Sequence, residues 1–323
     1  MSSTRNRLIQ LLAQQKKNEY ISGQKLSEML DVSRSAIWKH MNELKKDGYI
    51  IEGVANKGYR IVELPKIVSE NTIAWGLETE WLGHSIIHRE KISSTQTLAH
   101  QLAQEGAKHG TIVVADEQTA SRGRVNKRWY SAKGDGIWLS IILRPNIFPY
   151  LAPQLTLLTA TVLADVLEKH CSITPQIKWP NDILINEKKA SGILTEMQAE
   201  QDHVLYVIVG IGLNVNQESF EEEIKERATS LYLETGEKWD LIPLIQQLLR
   251  SFERAYDDYL LHGFKNVKTA WESYGFKLNE PLQIKTRKEE FEAIFRGIAE
   301  DGALLAEKDG KVQKIYSAEI AWF

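Results

Sequence analysis

The chain has 323 residues, of which 43% are hydrophobic and 26% charged, and this composition is typical of a soluble globular protein with two or three domains. Its single cysteine, Cys171, excludes an internal disulfide and a cysteine-rich zinc site. No continuous apolar run reaches the roughly 18 residues that span a bilayer, and no signal-peptide core follows Met1, so we expect a cytoplasmic protein without a membrane partner.

The charge is distributed unevenly along the chain. Residues 1–64 contain eleven Lys and Arg against seven Asp and Glu, a net charge of +4, whereas the whole chain carries −3. A small positive domain joined to a negative body indicates an anionic partner for the first part alone.

Three helices are predicted in the first part of the chain. They span about 5–15, 22–30 and 34–46, with Ser22 as the N-cap of the second helix and Gly48 ending the third. A turn of only three residues separates the second helix from the third. The residues expected to be buried in the first two helices are Leu8, Leu11, Leu12, Leu26, Met29 and Leu30.

The third helix has one apolar face, formed by Ile37, Met41 and Leu44, and one polar face. Behind it, residues 49–62 contain two β-branched and aromatic stretches around Asn56-Lys57-Gly58, a hairpin signature. Three helices followed by a hairpin predict a winged helix-turn-helix domain over residues 1–64.

The polar face and the hairpin carry side chains that can reach phosphates and base edges in a major groove. The residues expected to contact DNA are Ser33, Arg34, Ser35, Lys39, Asn42, Lys46, Lys57 and Arg60. A solvated helix face, or a winged helix used only for protein contacts, is the alternative interpretation.

Residues 65–274 alternate between strand and helix patterns after the linker-like Leu64-Pro65, which predicts a mixed α/β domain. Strands are expected near 111–117, 137–143, 176–185, 191–198 and 203–215, and helices near 95–106, 152–170, 241–263 and 266–274. Residues 275–323 contain short strand-like runs around Asp301-Gly302 and Asp309-Gly310, two hairpin turns that predict a small β domain.

The segment between the strands near 118 and 137 is unusually basic. Five cations and no acid lie between Arg122 and Lys133, and Gly123 allows the backbone to approach a ligand closely. Arginine matches the oxygens of carboxylate and phosphate with its planar fork of donors. Composition alone does not separate a small-anion site from a disordered basic loop or a nucleic-acid contact.

A second cluster comprises Lys178-Trp-Pro-Asn-Asp182 and Lys189. Asp182 could hold Mg²⁺ against a phosphate, and Lys189 could neutralise phosphate charge. A strand bulge and a solvated hairpin turn are the structural alternatives. The run from Gly210 to Asn216 has only two of the three glycines of a dinucleotide fingerprint, and the sequence has no Walker A motif.

Covalent catalysis lacks a candidate nucleophile in this sequence, since no G-x-S-x-G motif or evident Cys–His pairing is present. Chemistry by positioning and charge neutralisation remains.

At these clusters the chain resembles the bifunctional biotin protein ligases, the BirA family. The resemblance covers essentially the whole chain and rests on four motifs in the family's order behind a winged helix. The motifs are Gln118 with Ser121-Arg-Gly-Arg-Val-Asn-Lys127 and Arg128-Trp-Tyr-Ser131, Lys178-Trp-Pro-Asn-Asp182, Lys189-Ala-Ser-Gly-Ile-Leu194, and Gly210-Ile-Gly-Leu-Asn214.

The resemblance implies roles for individual residues. The implied biotin site is formed by Ser94, Thr95, Gln96, Gln118, Arg122, Gly123, Arg124, Lys189 and Gly192. The implied ATP site contains Trp129, Asn181, Asp182 and Asn214, with Asp182 as the Mg²⁺ ligand, and catalysis falls to Arg122, Arg124 and Lys189. The chain departs from the family pattern in two places. Gln96 replaces the usual asparagine, and Ser121, Val125 and Asn126 replace the glycine, arginine and glycine of the best-known basic loop.

The resemblance also implies a fold, an activity and partners. The middle domain would be of class II synthetase-like type and the last an SH3-like β-barrel. The enzyme would form biotinyl-5'-AMP from biotin and ATP with Mg²⁺, without a permanently bound cofactor, and transfer biotin to a lysine of a biotin carboxyl carrier protein, the biotin domain of acetyl-CoA carboxylase or pyruvate carboxylase. The chain would also bind operator DNA, repress biotin genes and form a ligand-induced homodimer.

Three other functions compete with this interpretation. A ligand-sensing repressor would bind a small anion and catalyse nothing, which the intact Arg122, Arg124 and Lys189 disfavour. A lipoate-type ligase would have a similar catalytic domain, but such relatives generally lack the winged helix and the run at 178–182. A nucleic-acid enzyme that uses the basic loop is disfavoured by the acidic domain around it.

Overall fold

The computed structural model describes residues 4–13, 19–46, 48–124, 128–286 and 289–322. The chain divides into two compact units, Met1–Glu78 and Thr79–Phe323, which are described separately. The first unit therefore extends beyond the boundary expected after residue 64. It includes the short helix Glu70–Ala74, whose N-cap Ser69 forms a reciprocal capping box with Thr72.

The first unit has the element order of a winged helix, as predicted. Its elements are α1 (Thr4–Ala13), α2 (Gly23–Leu30), α3 (Arg34–Lys46), β1 (Ile50–Val54), β2 (Gly58–Glu63) and α4 (Glu70–Ala74). The Ser22 hydroxyl accepts a hydrogen bond from the Lys25 amide at 3.1 Å, which confirms the predicted cap. Strands β1 and β2 pair antiparallel across the predicted turn.

The core of the first unit follows the helical periodicity. Leu8, Leu26, Ile37, Met41 and Leu44 are all buried. The prediction was wrong for Met29, which is 47% exposed, because the apolar face of the short helix α2 is wide enough only for Leu26 and Leu30.

The second unit is built on a seven-stranded mixed sheet with the strand order β3-β4-β5-β9-β8-β7-β6. Only β3 and β4 pair in parallel; the other neighbours are antiparallel. The strands are β3 (Ile86–Ile92), β4 (Thr111–Gln118), β5 (Gly136–Leu143), β6 (Gln176–Lys178), β7 (Asp182–Ile185), β8 (Lys188–Glu200) and β9 (His203–Asn214). The helices are α5 (Thr95–Gln104), α6 (Ala152–Cys171), α7 (Leu231–Thr235), α8 (Leu241–His262) and α9 (Lys265–Ser273).

Helix α6 is the central helix of this unit. By length and composition the segment Pro149–Cys171 could cross a membrane, since an 18-residue stretch of it has a mean hydropathy of 1.4, but 72% of that stretch is buried within the protein. It packs against α8, α9 and β8. Its apolar surface is therefore that of a core helix, as expected for a layer that covers a sheet.

A second, five-stranded antiparallel sheet completes the unit, which confirms the predicted small β domain. Its order is β13-β12-β11-β10-β14, with β10 (Pro281–Lys285), β11 (Glu290–Ile298), β12 (Leu304–Lys308), β13 (Lys311–Ile315) and β14 (Glu319–Trp322). Asp309 and Gly310 both have positive φ and join β12 to β13, as the hairpin signature predicted.

Candidate functional site

A cavity of about 420 Å³ lies between the large sheet and the small sheet of the second unit. The structure brings almost all the candidate catalytic, biotin and ATP residues to its walls. Those that line it are Ser94, Thr95, Gln96, Gln118, Arg122, Gly123, Arg124, Trp129, Asn181, Asp182, Lys189 and Gly192. Residues 125–127 of the basic loop lie outside the described part of the chain.

Asn214 is the exception among these candidates, since it is not among the described residues that line the cavity. Its side chain is buried, donates to the Thr229 carbonyl at 3.0 Å and accepts from Gln217 Nε2 at 3.2 Å. The expected contact of Asn214 with a nucleotide stays a prediction, and the structure shows only the internal hydrogen bonds of this side chain. The hydrogen bonds of its side-chain amide connect the end of β9 to the segment that follows.

The floor of the cavity is a row of buried and half-buried polar side chains. Ser94 caps α5, and both the amide and the hydroxyl of Thr95 donate to Gln118 Oε1, at 2.8 and 3.1 Å. Gln118 Nε2 donates in turn to Ser131 Oγ at 3.0 Å, and the Ser140 hydroxyl lies 2.9 Å from Thr95 Oγ1. Because these groups are hydrogen-bonded to one another, they present donors and acceptors to a ligand in fixed positions.

Two of the candidate cations of the site are paired with a carboxylate. Lys189 Nζ lies 2.7 Å from Asp182 Oδ1, and Arg122 Nη2 lies 3.1 Å from Glu196 Oε1. Among the described residues, no group of three or more His, Cys, Asp or Glu could hold a metal ion. Asp182 is thus the counter-ion of Lys189, and by itself it supplies one carboxylate to any cation.

Arg124 is half-buried and is held by a neutral amide. Its Nη1 donates to Asn181 Oδ1 at 3.1 Å, and Asn181 Nδ2 donates to the Ile193 carbonyl at 2.8 Å, which fixes the orientation of the amide. Burial lowers the pKa of the Arg124 guanidinium, and the nearby Asp182 carboxylate opposes that shift. A half-buried cation next to a neutral amide attracts an anionic ligand.

Trp129 lies on a surface made by glycines. A Cβ atom added to Gly212 would stand 2.5 Å from its Nε1, and one added to Gly192 would stand 3.1 Å from its ring. Lys189 Nζ is 5.2 Å from the ring centroid, within cation–π range. In the described part of the chain the buried Nε1 has no hydrogen-bond partner. Because Gly192 and Gly212 have no side chains, the Trp129 indole can pack closely against the two strands that carry them.

The candidate DNA contacts all belong to the first unit. Ser33, Arg34, Ser35, Lys39, Lys46 and Lys57 are exposed, and Asn42 is half-buried. Arg60 differs from them, because its Nε donates to Glu52 Oε2 at 2.6 Å and its guanidinium lies 4.9 Å from the centre of the Tyr20 ring. A guanidinium held by a carboxylate is a weaker phosphate ligand than the exposed Lys57 ammonium.

Several residues of these surfaces were missed by the sequence analysis. Trp38, 62% exposed on α3, lies between the predicted contacts Ser35 and Asn42 along the helix. Glu196 forms an ion pair with Arg122. It lies on the same face of β8 as Gly192, because alternate residues of a strand share a face, and this alternation could have identified it. The small sheet contributes Gln283, Lys285 and Ile320 to the cavity wall, for which the sequence has no local signal.

Comparison with known proteins follows the same division of the chain. Residues 89–214 match the biotin/lipoate A/B protein ligase family, residues 4–60 match an HTH domain, and residues 277–321 match the biotin protein ligase C-terminal domain.

Full-length relatives and a solved structure are also similar. The bifunctional ligase/repressor BirA of Bacillus spizizenii is 49% identical over 99% of this chain and 98% of its own length. The bifunctional ligase/repressor BirA of Escherichia coli is 31% identical over 98% of this chain and 96% of its own length. The biotin protein ligase from Aquifex aeolicus, solved with biotin and ATP, has a TM-score of 0.65 and 33% identity, and the match covers 74% of this chain and 98% of that one.

The packing of Trp129 on Gly212 can be tested by Gly212→Ala. The added methyl group should displace the indole, lowering the free energy of unfolding by about 1–3 kcal/mol and changing the near-ultraviolet circular dichroism. In a Trp129→Phe background the same substitution should leave the near-ultraviolet spectrum unchanged. A spectral change of equal size in both backgrounds would show that another aromatic residue responds.

Proposed function

The chain belongs to the biotin/lipoate protein ligase family, as a relative of its bifunctional ligase/repressors, and from that premise we propose that it activates biotin with ATP, transfers it to a protein lysine and represses transcription. The observation that carries the enzymatic part is the convergence of Arg122, Arg124 and Lys189 on one cavity whose floor is a fixed row of polar groups. The match of residues 4–60 to an HTH domain supports the repressor part.

Biotin fits the polar floor of the cavity. Its ureido ring has two N–H donors and a carbonyl acceptor, which complement the hydroxyl and amide groups of Ser94, Thr95 and Gln118. Leu139 and Ile193 also line the cavity and offer apolar surface to the rest of the molecule. The carboxylate of biotin would then point to the cations, because they compensate its charge.

ATP fits the part of the cavity next to Trp129. The indole face can stack on the adenine ring, and Lys189 and Arg124 can neutralise the α-phosphate. Asp182 would hold Mg²⁺ by one carboxylate, which suits an ion that keeps waters and phosphate oxygens as its other ligands. When bound, Mg²⁺ supplies charge neutralisation of the leaving pyrophosphate.

The reaction has two steps. A carboxylate oxygen of biotin attacks the α-phosphorus of ATP, the bond to the β-phosphate oxygen breaks, and pyrophosphate leaves. The neutral amine of the acceptor lysine then attacks the carbonyl carbon of the mixed anhydride, and AMP leaves with the bridging oxygen. In the first step two anions approach each other, and cations held about 4 Å away in a partly dry cavity lower that barrier by several kcal/mol.

The acceptor we propose is a biotin carboxyl carrier domain, such as that of acetyl-CoA carboxylase or pyruvate carboxylase. A purely ligand-sensing repressor would not need Lys189 beside Asp182 and Arg124, the arrangement that suits an activated phosphate. A lipoate-type ligase shares the family of the middle domain, but the full-length similarity, which includes the HTH domain, is to ligase/repressors.

The repressor activity depends, in our proposal, on a homodimer that forms when the adenylate is bound. A first domain of charge +4 makes few phosphate contacts, so its affinity for DNA as a monomer should be poor. Two such domains on a two-fold axis double the contacts and match a palindromic operator. Binding to the operator would then depend on how much biotinyl-AMP remains in the catalytic site, and so on how much biotin is unused.

Lys189 and Lys188 form a matched pair for testing the enzymatic proposal. They are adjacent on β8, but Lys189 faces the cavity and Lys188 is exposed. Lys189→Ala should slow biotin-dependent exchange of pyrophosphate into ATP at least about tenfold, on the order of 1.4 kcal/mol, whereas Lys188→Ala should stay within about twofold of the parent. Equal rates for the two variants would remove Lys189 from the reaction.

The coupling of the two activities can be tested by gel shift with operator DNA selected from a randomised duplex pool. Biotin plus ATP should tighten binding, because the adenylate favours the dimer, and unbiotinylated carrier domain should reverse the effect by consuming it. A carrier domain whose acceptor lysine is replaced by arginine should not reverse it. Identical affinity under all conditions would contradict the coupling.

A further inference from the structure

Gln96 lines the cavity, and its side-chain amide is hydrogen-bonded within the protein. The residue is 4% exposed. Its Nε2 donates to Glu196 Oε2 at 3.0 Å, and its Oε1 lies 3.1 Å from the Ser140 hydroxyl. Nε2 also has the Leu194 and Ile208 carbonyls at 3.3 and 3.4 Å, so both of its N–H groups have acceptors. Among the described residues Gln118 Nε2 donates to Ser131 alone, which leaves one of its N–H groups for a ligand.

The neighbour of Gln96 in this network is Glu196, where three donors meet. Besides Gln96, the carboxylate contacts His100 Nε2 at 3.2 Å and Arg122 Nη2 at 3.1 and 3.4 Å. The hydrogen bond from His100, with those from Gln96 and the charge of Arg122, lowers the pKa of Glu196 in spite of its partial burial. The carboxylate is therefore ionised near neutral pH and orients Arg122.

The reach of Gln96 depends on a glycine in β9. A Cβ atom added to Gly210 would stand 2.5 Å from Gln96 Oε1, so the amide crosses the sheet where β9 has no side chain. Asparagine is shorter by one methylene, about 1.5 Å, and from the same backbone position its amide would fall short of Glu196. The length of this side chain is what connects the floor of the cavity to the loop arginine.

We propose that Gln96 and Glu196 are positioning residues that hold the Arg122 guanidinium at the cavity wall, and that Gln96 does not itself contact biotin. This inference rests on the proposed function. The contacts with Glu196 use Nη2 of Arg122, so Nε and Nη1 can donate to the bound anion. Since Arg122 and Glu196 are both partly exposed, their ion pair adds little to stability, and its effect lies in orientation.

The inference predicts how substitutions combine. Gln96→Asn and Glu196→Gln, each alone, should raise the KM for biotin and speed the release of preformed biotinyl-AMP about tenfold, while kcat for pyrophosphate exchange stays within about twofold. In an Arg122→Ala background neither substitution should have a further effect, because the residue through which both act is gone. Glu200→Gln, an exposed acid on the same strand, serves as the control and should behave as the parent.

Three outcomes would overturn the inference. If Gln96→Asn raises the KM for biotin equally with and without Arg122, Gln96 contacts biotin directly. If Glu196→Gln slows adenylate release, the Glu196 carboxylate competes with the ligand for Arg122 instead of orienting Arg122. The glutamine side chain has the same shape as glutamate, so this variant tests the inference even if Gln96→Asn folds poorly. If kcat falls as steeply as KM rises, the pair does more than position Arg122. A parent protein without biotin-dependent exchange would overturn the proposed function itself, whereas additive effects in an active parent overturn only this inference.

Discussion

In the reaction that we propose, two anions, a carboxylate and a phosphate, must meet in one cavity, and that constraint accounts for the arrangement of charges around it. Cations are needed to bring them together, yet unpaired cations in a partly enclosed space are unfavourable when the substrates are absent. The protein meets both conditions with exchangeable partners: Asp182 for Lys189, Glu196 for Arg122 and the neutral amide of Asn181 for Arg124.

The same constraint explains why the cavity lies between two sheets. Electrostatic interactions strengthen where water is excluded, and the small sheet contributes Gln283 and Ile320 to the wall opposite the polar floor. On the large sheet, Gly210 and Gly212 leave space on one face of β9 for the Gln96 amide and the Trp129 indole. A strand with side chains at these positions could carry neither group so close to the backbone.

Local signals allowed much of this to be predicted. Helix α3 was predicted at its observed bounds, Arg34–Lys46, because its periodicity and Gly48 are local features, and the basic loop and the 178–182 run were recognised as unusual chemistry in an acidic domain. Strand β3 was missed, since an edge strand that reads Ile-Ile-His-Arg-Glu-Lys-Ile has few apolar residues. Glu196 was overlooked for another reason: its partner, Arg122, becomes a neighbour only in the folded chain.

The central claim is that a biotin oxygen is transferred to AMP through a mixed anhydride in this cavity. Biotin labelled with ¹⁸O in its carboxylate, incubated with the protein, ATP and an unbiotinylated carrier domain, tests it most directly by mass spectrometry of the AMP released. One ¹⁸O atom is expected in each AMP, because the attacking oxygen becomes the bridging oxygen and leaves with the phosphate. Biotinylated carrier accompanied by unlabelled AMP, or by no AMP at all, would contradict it.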